Sequence, residues 1–209
     1  MSRQALEGKL AVVAGFEDPT AELEQYPTPA DVAAHVVHLA DLRGDVADRT
    51  VVDLGAGTGM FALGAALRGA GRVVGVELDR GALDVAAQNE RRVGARTPIH
   101  WVNGDATRPP LARDRFDGPV TVLMNPPFGA QSGNEHADRA FLATAAELAD
   151  VSYSVHNAGS QSFVESFVAD EGGDVTDAFR ATLTLDRQFD HQTSERRDID
   201  ADVFRIEWQ

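Results

Sequence analysis

Three short apolar runs each end in acidic or glycine-rich residues that could hold a small ligand. Asp53-Leu54-Gly55-Ala56-Gly57-Thr58-Gly59 is a DxGxGxG turn closing the run Thr50 to Leu54. Glycines let the main chain approach a ligand closely, and a helix starting there presents free N–H groups. The GxGxG spacing differs from the GxGxxG of dinucleotide folds. An acid before the first glycine suits a ligand with a positive centre better than a pyrophosphate. Glu77 ends the next run, where an acid commonly accepts from both ribose hydroxyls of a nucleoside; Asp79 is the alternative. Asp105, in Gly104-Asp105-Ala106, would accept from an adenine amine or serve as a turn or capping residue.

The most specific cluster is Asn125-Pro126-Pro127-Phe128-Gly129, after the run Val120 to Met124. Two prolines directly after a buried strand are costly unless the backbone must be rigid there. They would hold the Asn125 side-chain oxygen and the Pro126 carbonyl as two acceptors converging on one point. An amine donating to both loses conjugation with its ring, and its lone pair becomes available. Phe128 offers a face on which a planar base can stack, worth about 1–3 kcal/mol. No general base is required, because the proton leaves after the nitrogen has become cationic.

These residues need a frame. Apolar periodicity predicts a helix from Ser2 to about Val13 and another over Ala30 to Leu42. Helices are also expected over Met60 to Arg68, Gly81 to Val93, Asp138 to Ala149 and Ser160 to Ala169. Strands are expected at Thr50–Leu54, Arg72–Leu78, Ile99–Asn103, Val120–Met124 and Val151–His156. Thr182–Leu185 and Asp198–Trp208 then form a closing hairpin. Strands alternating with helices imply a doubly wound α/β, Rossmann-like parallel sheet, to which the hairpin adds an antiparallel strand. Residues 1–48 read as an N-terminal helical extension, and 49–209 as one compact unit.

The 209 residues carry 33 Asp+Glu against 19 Lys+Arg, a formal net charge of −14, and of the basic residues only Lys9 is a lysine. That skew fits adaptation to molar salt. At 1 M salt the Debye length is about 3 Å, so net charge does not exclude RNA. With no cysteine there is no disulfide, thiolate zinc site or cysteine nucleophile, and a reducing cytoplasm is the expected location. No apolar stretch approaches the ~20 residues of a membrane span, and the start lacks the pattern of a signal peptide. No metal site is expected; His156 has no metal-spaced partner.

Asp53 to Gly59, Glu77, Asp105 and Asn125 to Phe128 together resemble the S-adenosylmethionine-dependent amino-methyltransferases of class I fold. Gly15-Phe16-Glu17-Asp18-Pro19, Glu24-Gln25-Tyr26-Pro27-Thr28, Ala140-Phe141-Leu142 and the ending Asp198 to Trp208 narrow this. They resemble the enzymes that place an N6-methyl on one adenosine of small-subunit ribosomal RNA, in an archaeal-type form. The resemblance implies S-adenosylmethionine as cofactor. Gln25 and Thr28 would close over its methionine end as a lid within residues 1–48. Asp53, Gly55, Gly57, Thr58, Gly59 and Met60 would form its cradle, Glu77 would take its ribose, and Asp105 and Ala106 its adenine. Asn125, Pro126, Pro127 and Phe128 would hold the target adenine, with Asn125 also bordering the cofactor.

The family's eukaryotic members carry a lysine cluster in the last hairpin loop, where this chain keeps only Arg196 and Arg197 as candidate phosphate contacts. The resemblance also implies a small zinc-binding activator subunit paired along a sheet edge. The third strand is an edge in the usual order of this fold, so Trp101 and Val102 are expected beneath that partner. Three other readings compete. Glutamine methylation of a release factor uses a similar loop, usually with Tyr in place of Phe128. A non-catalytic ribosome-assembly factor would not need the acceptor loop. A nicotinamide dehydrogenase would leave Asn125 to Phe128 unexplained.

Overall fold

The computed structural model describes residues 1–127, 137–186 and 196–209. Its strands are β1 (Thr50–Leu54), β2 (Arg72–Glu77), β3 (Ile99–Asn103), β4 (Val120–Met124), β5 (Val151–Asn157), β6 (Asp174–Asp186) and β7 (Arg196–Glu207). They form one seven-stranded sheet in the order β3-β2-β1-β4-β5-β7-β6. The first five are parallel, while β7 runs antiparallel to both β5 and β6. β1 and β4 are buried at every position. Such strands need continuous apolar runs rather than alternation, because helices cover both faces.

One face carries α1 (Arg3–Leu10), α2 (Ala30–Leu42), α3 (Met60–Leu67) and α4 (Arg80–Val93). The other carries α5 (Ala137–Leu148) and α6 (Gln161–Asp170). Each face has its own core: Leu6, Val36, Phe61 and Tyr153 on the first, Met124, Leu142, Val164 and Phe204 on the second. Among the described residues, no helix is long and apolar enough to cross a membrane.

Local chemistry sets the helix starts. Ser2 Oγ accepts from the Ala5 N–H at 3.2 Å and caps α1. Pro29, with φ −57° and ψ 145°, is the N-cap of α2, where its missing N–H removes no hydrogen bond from within the helix. Asp79 accepts from the Gly81 N–H at 2.8 Å and caps α4. The end of α2 is fixed by a buried carboxylate. Asp45 Oδ2 accepts from Tyr153 Oη at 2.8 Å on β5 and from Arg205 Nε at 2.9 Å on β7. Two charge-assisted hydrogen bonds satisfy an acid that is 1% exposed, and they fasten α2 to the sheet.

Two boundaries differ from the sequence reading. Helix α1 stops at Leu10 rather than Val13, because Asn89 on α4 captures the following main chain. Asn89 Oδ1 accepts from the Ala14 N–H at 2.9 Å, and Nδ2 donates to the Ala14 carbonyl at 3.0 Å. Strand β6 begins at Asp174, eight residues before the expected Thr182. A register shift between Val175 and Asp177 breaks its two-residue period there.

Strand β3 is an edge of the sheet, as expected. Trp101 turns into the chain's own core, where its indole N–H donates to Glu90 Oε2 at 2.9 Å. The ring sits where a Cβ on Gly75 or Gly59 would come within 2.5 or 2.8 Å of it. Only glycine fits at those two positions, so the glycine in the middle of β2 is a packing feature. Val102 packs against the opposite core. Both side chains pack against the protein's own cores and remain half-buried. What β3 leaves open is one side of its main chain.

Candidate active site

The strand order reverses between β1 and β4, and ligands of open α/β sheets bind outside the carboxyl ends of the strands at such a point. A cavity of about 420 Å³ lies there, its wall running from the β1 turn to Asn125 and roofed by the segment from Phe16 to Thr28. Three of the expected acids, Asp53, Glu77 and Asp105, are on that wall.

Asp53 is the penultimate residue of β1 and is 1% exposed. Its Oδ2 accepts from the Ala62 N–H in the first turn of α3 at 2.8 Å. Burial pushes its carboxyl up to about 7, opposed by that N–H and reinforced by the charge of Glu77. Glu77 Oε2 accepts from the Gly57 N–H at 2.8 Å, and Oε1 from the Asp79 N–H at 2.9 Å. The side chain is thus fixed at both oxygens, each keeping a further lone pair for a ligand. Burial raises its pKa despite these N–H groups. Asp105 Oδ1 accepts from the N–H and the hydroxyl of Thr107 at 2.8 and 2.7 Å, so it shapes the turn and retains Oδ2 as an acceptor.

The roof is tied down at three places. Gln25 is 5% exposed; its Oε1 accepts from the Thr20 N–H at 2.6 Å, and its Nε2 donates to Asp79 Oδ2 at 2.7 Å. Phe16 lies against the glycine turn, 2.9 Å from where a Cβ on Gly57 would stand. Thr28 Oγ1 accepts from Asn125 Nδ2 at 3.0 Å. Asn89 supports the floor from below by donating to the Thr58 carbonyl at 3.0 Å.

Asn125 carries the decisive local feature. Its amide nitrogen is committed to Thr28, while its Oδ1 is buried and has no hydrogen-bond donor among the described residues. A buried acceptor left unpaired costs about 1–3 kcal/mol. At the edge of a cavity, that cost is removed by a ligand that brings an N–H.

The wall gathers Gln25, Thr28, Asp53, Gly55, Gly57, Thr58, Met60, Glu77, Asp105, Ala106, Asn125 and Pro127 from the sequence reading. Gly59 and Pro126 are not on it. Gly59 instead makes room for Trp101, and with φ +98° it forms the left-handed cap of α3. Phe128 lies outside the described residues, as do the side chains of Arg196 and Arg197. The motifs and their spacing give no role to Phe16 or Asn89, and give Asp79 only as the alternative to Glu77 at the ribose. Asp79 carried a usable signal, an Asp just ahead of a helix; Asn89 carried none, because its partners lie 75 and 31 residues away.

The methyltransferase domain family matches residues 51–158, from β1 through β5. The chain belongs to the methyltransferase family. The methyltransferase is 36% identical over 208 residues to the rRNA N(6)-adenosine-methyltransferase Mettl5 of Drosophila melanogaster, covering 97% of this chain and 94% of the relative. It is 34% identical over 168 residues to the Danio rerio rRNA N(6)-adenosine-methyltransferase METTL5, with 79% of each chain covered. Among solved structures, the Pyrococcus horikoshii protein PH1948 matches with a TM-score of 0.87 and 35% identity, covering 100% of this chain and 98% of that one.

The cofactor of the methyltransferase is S-adenosylmethionine, and the wall is chemically suited to it. The ligand combines a cationic end with a nucleoside. The cavity opposes these with buried acids, a glutamate with lone pairs to spare, and a turn whose Gly57 N–H fixes that glutamate.

Proposed function

We propose that this methyltransferase is a cytoplasmic enzyme that methylates the N6 amine of an adenosine in small-subunit ribosomal RNA. The observation that carries the chemistry is the unpaired Asn125 Oδ1. An oxygen acceptor favours a substrate that donates, as an exocyclic amine does. The activity for which the Drosophila and zebrafish relatives are named supports adenosine N6 as that amine.

S-adenosylmethionine, when bound, supplies an electrophilic methyl on a sulfonium. Asp53, Gly55, Gly57, Thr58 and Met60 would hold its cationic side, Glu77 its ribose, and Asp105 with Ala106 its adenine. Residues 1–48 act as extension and lid over the catalytic unit 49–209. Asn125 Oδ1 and the Pro126 carbonyl accept the two N–H groups of the target amine, which turns its lone pair out of the ring. Pro127 keeps this acceptor pair rigid, and Phe128 supplies the stacking face. As the nitrogen gains positive charge, both acceptors bind it more tightly, so their stabilisation is greatest in the transition state. The proton leaves afterwards, to water.

Arg196 and Arg197 are assigned to RNA phosphates. A small zinc-binding activator is assigned to the open main-chain side of β3, where a strand could be added without disturbing Trp101.

Labelled S-adenosylmethionine, presented with unmethylated small-subunit or large-subunit RNA in molar KCl, tests the substrate. Label should enter the small-subunit RNA, faster when the zinc-binding partner is added. Transfer to large-subunit RNA alone would refute the substrate assignment, and a rate indifferent to the partner would remove it from the account.

A further inference from the structure

We propose that a second cavity, beside the active site, receives the base of a nucleotide flanking the methylated adenosine. This rests on the RNA substrate proposed above. The second cavity has a volume of about 280 Å³, and Pro27, Thr28, Thr58 and Met60 line both it and the active-site cavity. The partition is stiff: Tyr26 and Thr28 each precede a proline, which holds them to extended backbone. The far wall is made by Leu10 and Val13 at the end of α1, and by Thr184 near the end of β6. Ala11, Gly15 and Thr184 are exposed, so the cavity opens to solvent.

The wall suits a base better than a phosphate. Among the described residues, no charged side chain lines it. A phosphate entering there would lose its water and meet no cation in return. The flat apolar faces of a base lose little. Thr184 donates to Asp198 Oδ1 at 2.8 Å, which places acceptors at the rim, where the N–H groups of a base edge can meet them.

The position singles out a neighbour of the target. A base whose amine reaches buried Asn125 has left its stack, and the bases beside it have lost a partner. Sequence-specific recognition of RNA works largely through such unstacked bases. The adjoining nucleotide is covalently tied to the target and must lie close to Asn125. Thr28 borders both places, since its Oγ1 is 3.0 Å from Asn125 Nδ2. On the other side, Leu185, the residue after Thr184, pairs in register with Arg197 of β7, a residue assigned above to an RNA phosphate. The cavity thus lies between the acceptor and a proposed backbone contact.

Ala11→Leu and Gly15→Leu would fill the space from two sides. The Gly15 backbone is not left-handed, and a Cβ there meets only Pro27 Cγ, at 4.0 Å, so a side chain enters without strain. Each variant and the wild type would be assayed for kcat, for KM toward small-subunit RNA, and for the dissociation constant of S-adenosylhomocysteine. The RNA would be intact, or joined by splinted ligation from a piece lacking the base 5′ or 3′ of the methylated adenosine. Loss of one of these two bases should raise the wild-type KM about tenfold, on the scale of one base contact in a protein–nucleic acid interface. Both variants should show a similar rise on intact RNA and no further rise on the RNA lacking that base, because the two changes remove one interaction. The dissociation constant should hold.

A wild-type KM indifferent to removal of either base would overturn the proposal, whatever the variants do. Losses that add in the filled variants would place the flanking base elsewhere and overturn it too. Weaker S-adenosylhomocysteine binding in both variants would overturn it in favour of a role in seating the roof. Absence of adenosine methylation by the wild type on intact RNA would overturn the function proposed above, and this site with it.

Discussion

Asn125→Ala should lower kcat by about 10²–10³-fold, the usual cost of removing one hydrogen-bonding group aimed at charge that develops in the transition state. Binding of S-adenosylhomocysteine should stay close to wild type, because the lost oxygen faces the amine. The variant should also fold normally. It deletes an acceptor that is already unpaired and leaves only the half-buried Thr28 hydroxyl to find a new partner. Equilibrium binding and single-turnover transfer separate the two effects. A variant that binds cofactor poorly and turns over at the wild-type rate when saturated would assign Asn125 to the cofactor instead.

Asp53→Asn should uncouple cofactor affinity from pH. Burial raises the Asp53 carboxyl from 3.8 to about 7, so in the folded protein it is protonated through most of the acid range. An acid raised on folding gives stability that is fully present below its unfolded pKa and lost as pH climbs through its folded value. Here the window runs from about pH 4 to about pH 7 and the loss amounts to roughly 4 kcal/mol. A cationic ligand favours the ionised form, so affinity for S-adenosylmethionine should rise between pH 6 and 8.

Asparagine keeps an oxygen for the Ala62 N–H and never ionises. The variant should bind S-adenosylmethionine roughly tenfold more weakly at pH 8, about 1.4 kcal/mol, with a flat pH profile. Without ligand it should be more stable than wild type at pH 8 and no more stable at pH 5. Calorimetry and thermal melts at the two pH values measure both effects. A pH-dependent affinity retained in the variant would move the titrating role to Glu77, whose carboxyl burial also raises.

The strand–turn–helix frame was legible because both signals that define it are local. The central strands Thr50–Leu54 and Val120–Met124 are unbroken apolar runs. The acids of the site sit immediately after such runs. The β6 boundary was less legible because a bulge interrupts its alternation and its outer face is polar. The environment of Trp101 was hidden for another reason. Its space is made by Gly75 on the neighbouring strand and Gly59 in the β1 turn, and its hydrogen bond comes from Glu90 on α4. Three residues distant in sequence thus shape the half-buried site of one side chain on an edge strand.

The same holds within the site. Asn125 is recognisable from the prolines behind it, but its side chain is hydrogen-bonded to Thr28, and that of Gln25 is oriented by Asp79. The residues that bear the chemistry announce themselves by type and spacing. The residues that aim them do not, because a hydrogen bond between side chains leaves no periodic trace in either segment.

The most direct test of the central claim is the identity of the methylated nucleoside. RNA methylated from a deuterium-labelled donor would be digested to nucleosides and resolved by mass and retention. An oxygen acceptor opposite an exocyclic amine predicts label in N6-methyladenosine alone. Label in a ribose 2′-O-methyl nucleoside or at a ring nitrogen would contradict it, since neither offers two N–H groups to Asn125 and Pro126.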